Sequence, residues 1–85
     1  MSVKLVYFAW VRERIGLPEE RVDLPDDVST GSDLISWLQS RGENYAYALE
    51  EPLAIRIAVD QNLIDAEEPV TGASEIALFP PMTGG

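Results

Sequence analysis

Pro80, Pro81, Met82, Thr83, Gly84 and Gly85 form a segment whose residue types suit chemistry on a backbone carboxylate and on little else. Glycine has no Cβ, so Gly84 and Gly85 can enter a channel too narrow for any side chain. The two prolines cannot continue a sheet interior and favour polyproline II, which directs the segment away from the body of the chain. Fully extended, six residues reach about 20 Å, enough to enter a buried site on another protein. A free carboxylate is a poor electrophile. Converted by ATP to an acyl adenylate, its carbon becomes open to attack by sulfide or an amine. The expected reactive group is therefore the carboxylate of Gly85, with residues 80–84 as the part that inserts into a partner.

The remaining side chains offer few competitors. Cysteine and histidine are both absent from the 85 residues, which removes thiol nucleophiles, disulfides, thiolate zinc sites and imidazole bases. Carboxylate-only chemistry stays open in principle. The chain has no phosphate-binding loop and no catalytic lysine motif, so activation falls to a separate enzyme that uses ATP. Neither a metal site nor a bound cofactor is expected, and the chain is not expected to be catalytic alone.

The formal charge is −9, and beyond Arg56 no lysine or arginine balances Asp60, Asp65, Glu67, Glu68 and Glu75. Such a surface repels phosphate backbones, so nucleic acid is not an expected partner, whereas basic protein surfaces are. Solubility alone is the other reading of the same charge. No apolar run is long enough for a transmembrane helix, and no signal-peptide pattern opens the chain. A cytoplasmic location without membrane contact is the expectation.

The elements that must present this segment follow from periodicity. Residues 3–10 predict a strand, with Val3, Leu5, Tyr7 and Ala9 on one face and Val6, Phe8 and Trp10 on the other. Tyr7 and Phe8 read as core, and Trp10 as a strand-end residue that can face a partner. Arg12, Glu13, Arg14 and Ile15 lead to Gly16 and Pro18, a turn or a frayed helical turn. Residues 21–24 predict a second strand forming a hairpin with the first. Residues 30–42 predict the main helix: Thr30 or Ser32 caps it, Leu34, Ile35 and Leu38 form its stripe, and Gly42 stops it. Residues 44–51 read as a turn of helix or an ordered loop. Strands are predicted at 53–59, briefly at Leu63 and Ile64, and at 75–79, with a surface connection over 67–74.

One amphipathic helix covers one sheet face, giving a two-layer α+β domain. The long path through the helix allows the final strand to lie parallel beside the first, as in a ubiquitin-like β-grasp with a mixed sheet of about five strands. A ferredoxin-like split βαβ is the alternative, but it wants a second full helix. The expected division is a domain over 1–79 and an extended, flexible tail over 80–85.

Three stretches carry a family likeness: Val6, Tyr7, Phe8, Ala9, Arg12, Glu13 and Gly16; Ile57, Ala58 and Val59; and the run from Glu75 through Phe79 to Pro80, Pro81, Met82, Thr83, Gly84 and Gly85. In these the chain resembles the small subunit of molybdopterin synthase, a ubiquitin-like sulfur carrier of molybdenum cofactor biosynthesis. The resemblance implies a β-grasp whose terminal glycine is adenylated by an E1-like enzyme and converted to a thiocarboxylate. The sulfur donor would be a cysteine desulfurase or a rhodanese-like protein. The tail would insert into the synthase large subunit, within a heterotetramer, and give sulfur to cyclic pyranopterin monophosphate to build the dithiolene. Phe79 matches the family's aromatic residue before the prolines, which implies a partner contact; ordinary core is its other reading. Arg12 and Glu13 match a family loop, or form a structural salt bridge or solvated turn.

Two stretches depart from the family pattern. Gly72, Ala73, Ser74 and Glu75 replace a usual Asp-Gly-Asp-Glu, so Ala73 stands where a positive φ is expected, and Asp60 replaces a usual asparagine. Three other functions compete: a sulfur carrier for thiamine thiazole synthesis, a ubiquitin-like protein modifier, and a plain β-grasp interaction module.

Overall fold

The computed structural model describes residues 2–81. Five strands make one sheet in the order β2-β1-β5-β3-β4, with β1 at Ser2–Tyr7, β2 at Glu19–Asp23, β3 at Arg56–Val59, β4 at Asn62–Ile64 and β5 at Glu75–Phe79. β5 is central, parallel to β1 and antiparallel to β3. That mixed order is the β-grasp arrangement.

Three helices cover one face: α1 at Ala9–Ile15, α2 at Gly31–Gln39 and α3 at Glu43–Ala48. Strand alternation sends Val3, Leu5, Tyr7, Val22, Ile57, Ile76 and Leu78 inward, where they meet Val11, Ile15, Leu34, Ile35, Leu38, Ala48 and Leu49. α2 begins in a complete capping box, with Thr30 Oγ1 accepting from the Asp33 amide and Asp33 Oδ2 accepting from the Thr30 amide. Gly31 is required there for space, because a Cβ would stand 2.7 Å from Ile57 Cδ1 and 3.3 Å from the Ala66 carbonyl oxygen.

Several local expectations are corrected. The first strand ends at Tyr7, because the backbone turns at Ala9 (φ 51°) into α1. Trp10 therefore sits in the first turn of a helix and not at a strand end. The 12–15 segment is the body of that helix, held by Val11 and Ile15 one turn apart and stopped by left-handed Gly16 (φ 93°). β1 and β2 pair antiparallel, but α1 joins them in place of a tight hairpin turn. Of the two readings of 44–51 the helical one holds: α3 spans Glu43–Ala48 and is tied to α1 by Asn44 Nδ2 donating to the Ile15 carbonyl at 2.8 Å. Gly42 is extended and precedes α3; the main helix stops earlier, at Gln39. The strand drawn over 53–59 starts only at Arg56, since Pro52–Ala54 forms a 3-10 turn that leaves Leu53 96% exposed.

Both departures from the family pattern have a structural account. Gly72, not Ala73, takes the positive φ (78°), and the Ala73 amide closes the turn onto the Val70 carbonyl at 3.4 Å. Asp60 adopts φ 48° in the β3–β4 turn, and its Oδ1 accepts the amides of both Ser74 and Glu75 at 3.0 Å. One carboxylate oxygen thus ties that turn to the start of β5.

Candidate functional site

β5 is the element that precedes Pro80 and Pro81. Paired with β1 through Leu78 and with β3 through Phe79, it runs directly into Pro80 and Pro81, which are half-buried at the sheet's end. Met82, Thr83, Gly84 and Gly85 lie outside the described residues.

The sheet face turned away from the helices has a strip of small apolar residues. Registers place Leu63 beside Ala58, Ala58 beside Ala77, and Ala77 beside Val6, so one row crosses four strands. The floor at Val6, Ala58 and Ala77 is half-buried, whereas Leu63 stands up at 67% exposure. At the tail end of this row Phe79 meets Phe8 edge to face, ring centroids 6.5 Å apart. Phe8 donates its amide to the Leu78 carbonyl at 3.2 Å, which fixes this residue at the junction of β1, β5 and α1.

Phe79 therefore belongs to the open face and is only half-buried, not part of the helix-covered core. Tyr7 is core, but Phe8 is not: it is 47% exposed. The signal for this was present in the alternation, because Val6 and Phe8 share the face opposite Leu5 and Tyr7, and helices cover only one face. Leu63 and Phe8 are the surface residues that the linear reading left out of the site. Apolar side chains grouped in this way around a small-residue floor suit a protein partner.

Trp10 is placed elsewhere. It is half-buried on α1, with the Arg14 guanidinium 4.7 Å from its ring centroid and 4.2 Å from that of Tyr47. Arg14 also reaches Glu50 at 3.6 Å. This cation between two rings ties α1 to α3 and gives Trp10 an intramolecular role. Arg12 and Glu13 are exposed on α1, and neither makes a side-chain ion pair among the described residues.

Beneath the sheet's other face lies a polar cluster. Glu20 Oε2 accepts from Tyr7 Oη at 2.6 Å and from Tyr45 Oη at 2.7 Å, and lies 3.1 Å from Arg41 Nη1. Partial burial disfavours the Glu20 charge, but the donors of Tyr7, Tyr45 and Arg41 outweigh it and hold the carboxyl below its usual range. Burial, followed by the bond to Glu20, pushes the Tyr7 phenol up, and the Tyr45 phenol moves in the same direction for the same two reasons. The cluster braces β1, β2, α3 and the segment between α2 and α3. Among the described residues no group of three or more acidic, histidine or cysteine side chains could hold a metal ion, and no helix is long and apolar enough to cross a membrane.

Comparison with known proteins agrees with the architecture. Residues 5–85 match the model of the ThiS family. The molybdopterin synthase sulfur carrier subunit of Haemophilus influenzae is 36% identical over 83 residues, covering 98% of this chain and 99% of that protein. The corresponding subunit of Escherichia coli is 34% identical with the same coverage. Among solved structures, SAMP1 from Haloferax volcanii, a small archaeal modifier protein, superposes with a TM-score of 0.71 at 26% identity, each chain covered in full. With its sheet order, its central β5 and these relatives, the chain belongs to the ThiS family and is kin, over nearly its whole length, to the molybdopterin synthase sulfur carrier subunits.

Proposed function

We propose that this protein is the sulfur carrier subunit of a molybdopterin synthase, with the Gly85 carboxylate as the group that is loaded. The observation that carries the reading is the placement of β5. Its central position, paired with β1 through Leu78 and with β3 through Phe79, makes the end of β5 a rigid base that leads straight into Pro80 and Pro81. The full-length kinship with carrier subunits supports the same reading.

In the proposed cycle an E1-like enzyme joins the carboxylate to the AMP moiety of ATP and releases pyrophosphate. The persulfide of a desulfurase or rhodanese-like donor then attacks the acyl carbon and expels AMP, and a thiol reduces the resulting acyl disulfide, leaving a thiocarboxylate on Gly85 and a disulfide on the donor side. Inserted in the large subunit, the thiocarboxylate gives its sulfur to cyclic pyranopterin monophosphate, and water returns the carboxylate. This chain contributes the carrier, its base and its docking face; ATP and catalytic side chains belong to the partners, and the cytoplasm is the proposed site of action. Phe79, Phe8 and Leu63 form the proposed contact with the large subunit.

The test is intact mass spectrometry after incubation with the activating enzyme, ATP and a sulfur donor. Exchange of one oxygen for sulfur at Gly85 is expected, and no exchange under conditions that load a control carrier rejects the proposal. Removing Gly85 should abolish dithiolene formation without altering the melting temperature, because the buried core begins at Val3 and ends at Leu78.

A second reading, attachment to lysines of other proteins, is favoured by the likeness to SAMP1. It predicts isopeptide adducts in cells that disappear on removal of Gly85.

A further inference from the structure

The open face ends, beside the tail's point of departure, on a cation that nothing among the described residues neutralises. Arg56 is the first residue of β3; Ile57 points into the core, so alternation turns Arg56 onto the same face as Ala58. It stands in register with Phe79. Directly opposed residues of antiparallel strands have Cβ atoms about 5 Å apart, so Arg56 is rooted next to the last residue before Pro80.

The other cations differ in pairing or place. Lys4, Arg14 and Arg41 lie near Glu19, Glu50 and Glu20 respectively. Arg12 is on α1, and Arg21 is level with Lys4 and Glu75, at the opposite end of β5. Arg56 is exposed, and among the described residues its side chain makes no hydrogen bond or ion pair. In a chain of net charge −9, a guanidinium without an ion-pair partner among the described residues thus stands beside the tail exit.

We propose that Arg56 is a specificity contact, engaged by a carboxylate of the protein that receives the tail as that protein covers the Val6–Ala58–Ala77 strip. The inference rests on the carrier-subunit reading and adds the chemistry of the partner. Docking over Phe79 would strip water from the neighbouring guanidinium, and only an acidic group restores what is lost. Because the rest of this chain is acidic, a complementary partner is basic elsewhere. One acidic point against Arg56 then fixes the register and rejects partners that are uniformly basic. The planar fork of arginine suits a carboxylate in two-point contact, which lysine does not reproduce.

The test measures binding of the full-length chain to the molybdopterin synthase large subunit encoded in the same genome, by calorimetry at low and moderate salt. R56A is expected to weaken binding about tenfold and R56E about a hundredfold, with R56K between wild type and R56A. Melting temperatures should be unchanged. Replacing the opposing acid of the large subunit by arginine should restore R56E. Tight wild-type binding with R56E equally tight, or failure of every acid-to-arginine replacement to rescue R56E, overturns the role of Arg56 and leaves the carrier reading standing. Absence of wild-type binding overturns the carrier reading itself.

Discussion

The Tyr7 hydroxyl donates to Glu20 Oε2 at 2.6 Å across the β1–β2 pair, and the same oxygen receives Tyr45 from α3. With Arg41 at 3.1 Å, one carboxylate collects donors from a strand, a helix and the segment between two helices. Removing it strands two phenols at a helix–sheet boundary.

Glu20→Ala should therefore destabilise the fold by about 2–4 kcal/mol, read as a lower urea midpoint with unchanged slope. Glu20→Gln keeps an acceptor and should cost less.

The same cluster sets pH limits on stability. The Glu20 carboxyl is held below its usual range, so its contribution is present above the unfolded-state value and is lost as pH falls through the lower folded one. Tyr7 and Tyr45 are raised, so their contribution is present below the ordinary phenol value and is lost as pH rises beyond it. Urea midpoints measured across pH should fall at both extremes, and Glu20→Gln should flatten the acid limb.

Asp60→Ala removes the acceptor for the amides of Ser74 and Glu75 and should cost about 1–3 kcal/mol. Asp60→Asn retains an Oδ1 acceptor and should stay close to wild type. Hydrogen exchange at the Glu75 amide gives the readout: faster in the alanine variant, protected in the asparagine variant.

Gly31→Ala improves helix propensity at the first turn of α2, yet it places a methyl group against Ile57 Cδ1 and the Ala66 carbonyl. Ile57 is core and Ala66 presents backbone, so neither yields freely. Overpacking should win, with a loss of about 1–3 kcal/mol in thermal or urea unfolding. A gain in stability would show that the 65–68 segment shifts without cost.

Phe8→Ala removes an exposed ring, so stability should change by less than about 1 kcal/mol. Affinity for the synthase large subunit should drop about tenfold or more if the open face is the docking surface, because aromatic anchors dominate such contacts. The same titration on Leu63→Ala locates the far end of the strip.

Much of this architecture was legible in the sequence because its signals are local. Alternation set Val3, Leu5 and Tyr7 apart from Val6 and Phe8, and Ile76 and Leu78 apart from Ala77 and Phe79, and Thr30 or Ser32 marked the start of α2, which Thr30 caps. The Pro80–Pro81 break after a final strand and the Gly84–Gly85 pair stand in the sequence with no fold needed to see them. What failed to show was wherever a local pattern had two readings. The strand-like alternation of Phe8, Ala9 and Trp10 hid the start of α1, because the positive φ at Ala9 has no glycine to announce it. Leu53 fits a strand by alternation, but Pro52 opens a 3-10 turn that takes it out of β3.

The sequence by itself determined which groups are available: no thiol, no imidazole, an acidic surface and a glycine pair after two prolines. Only the tertiary structure decided that Phe8, Phe79, Leu63 and Arg56 share one face while Trp10 turns away under Arg14. The reason is that residue type and periodicity are properties of the chain, whereas neighbours across β1, β5, β3 and β4 exist only once strand order and register bring residues 8, 79, 56 and 63 together.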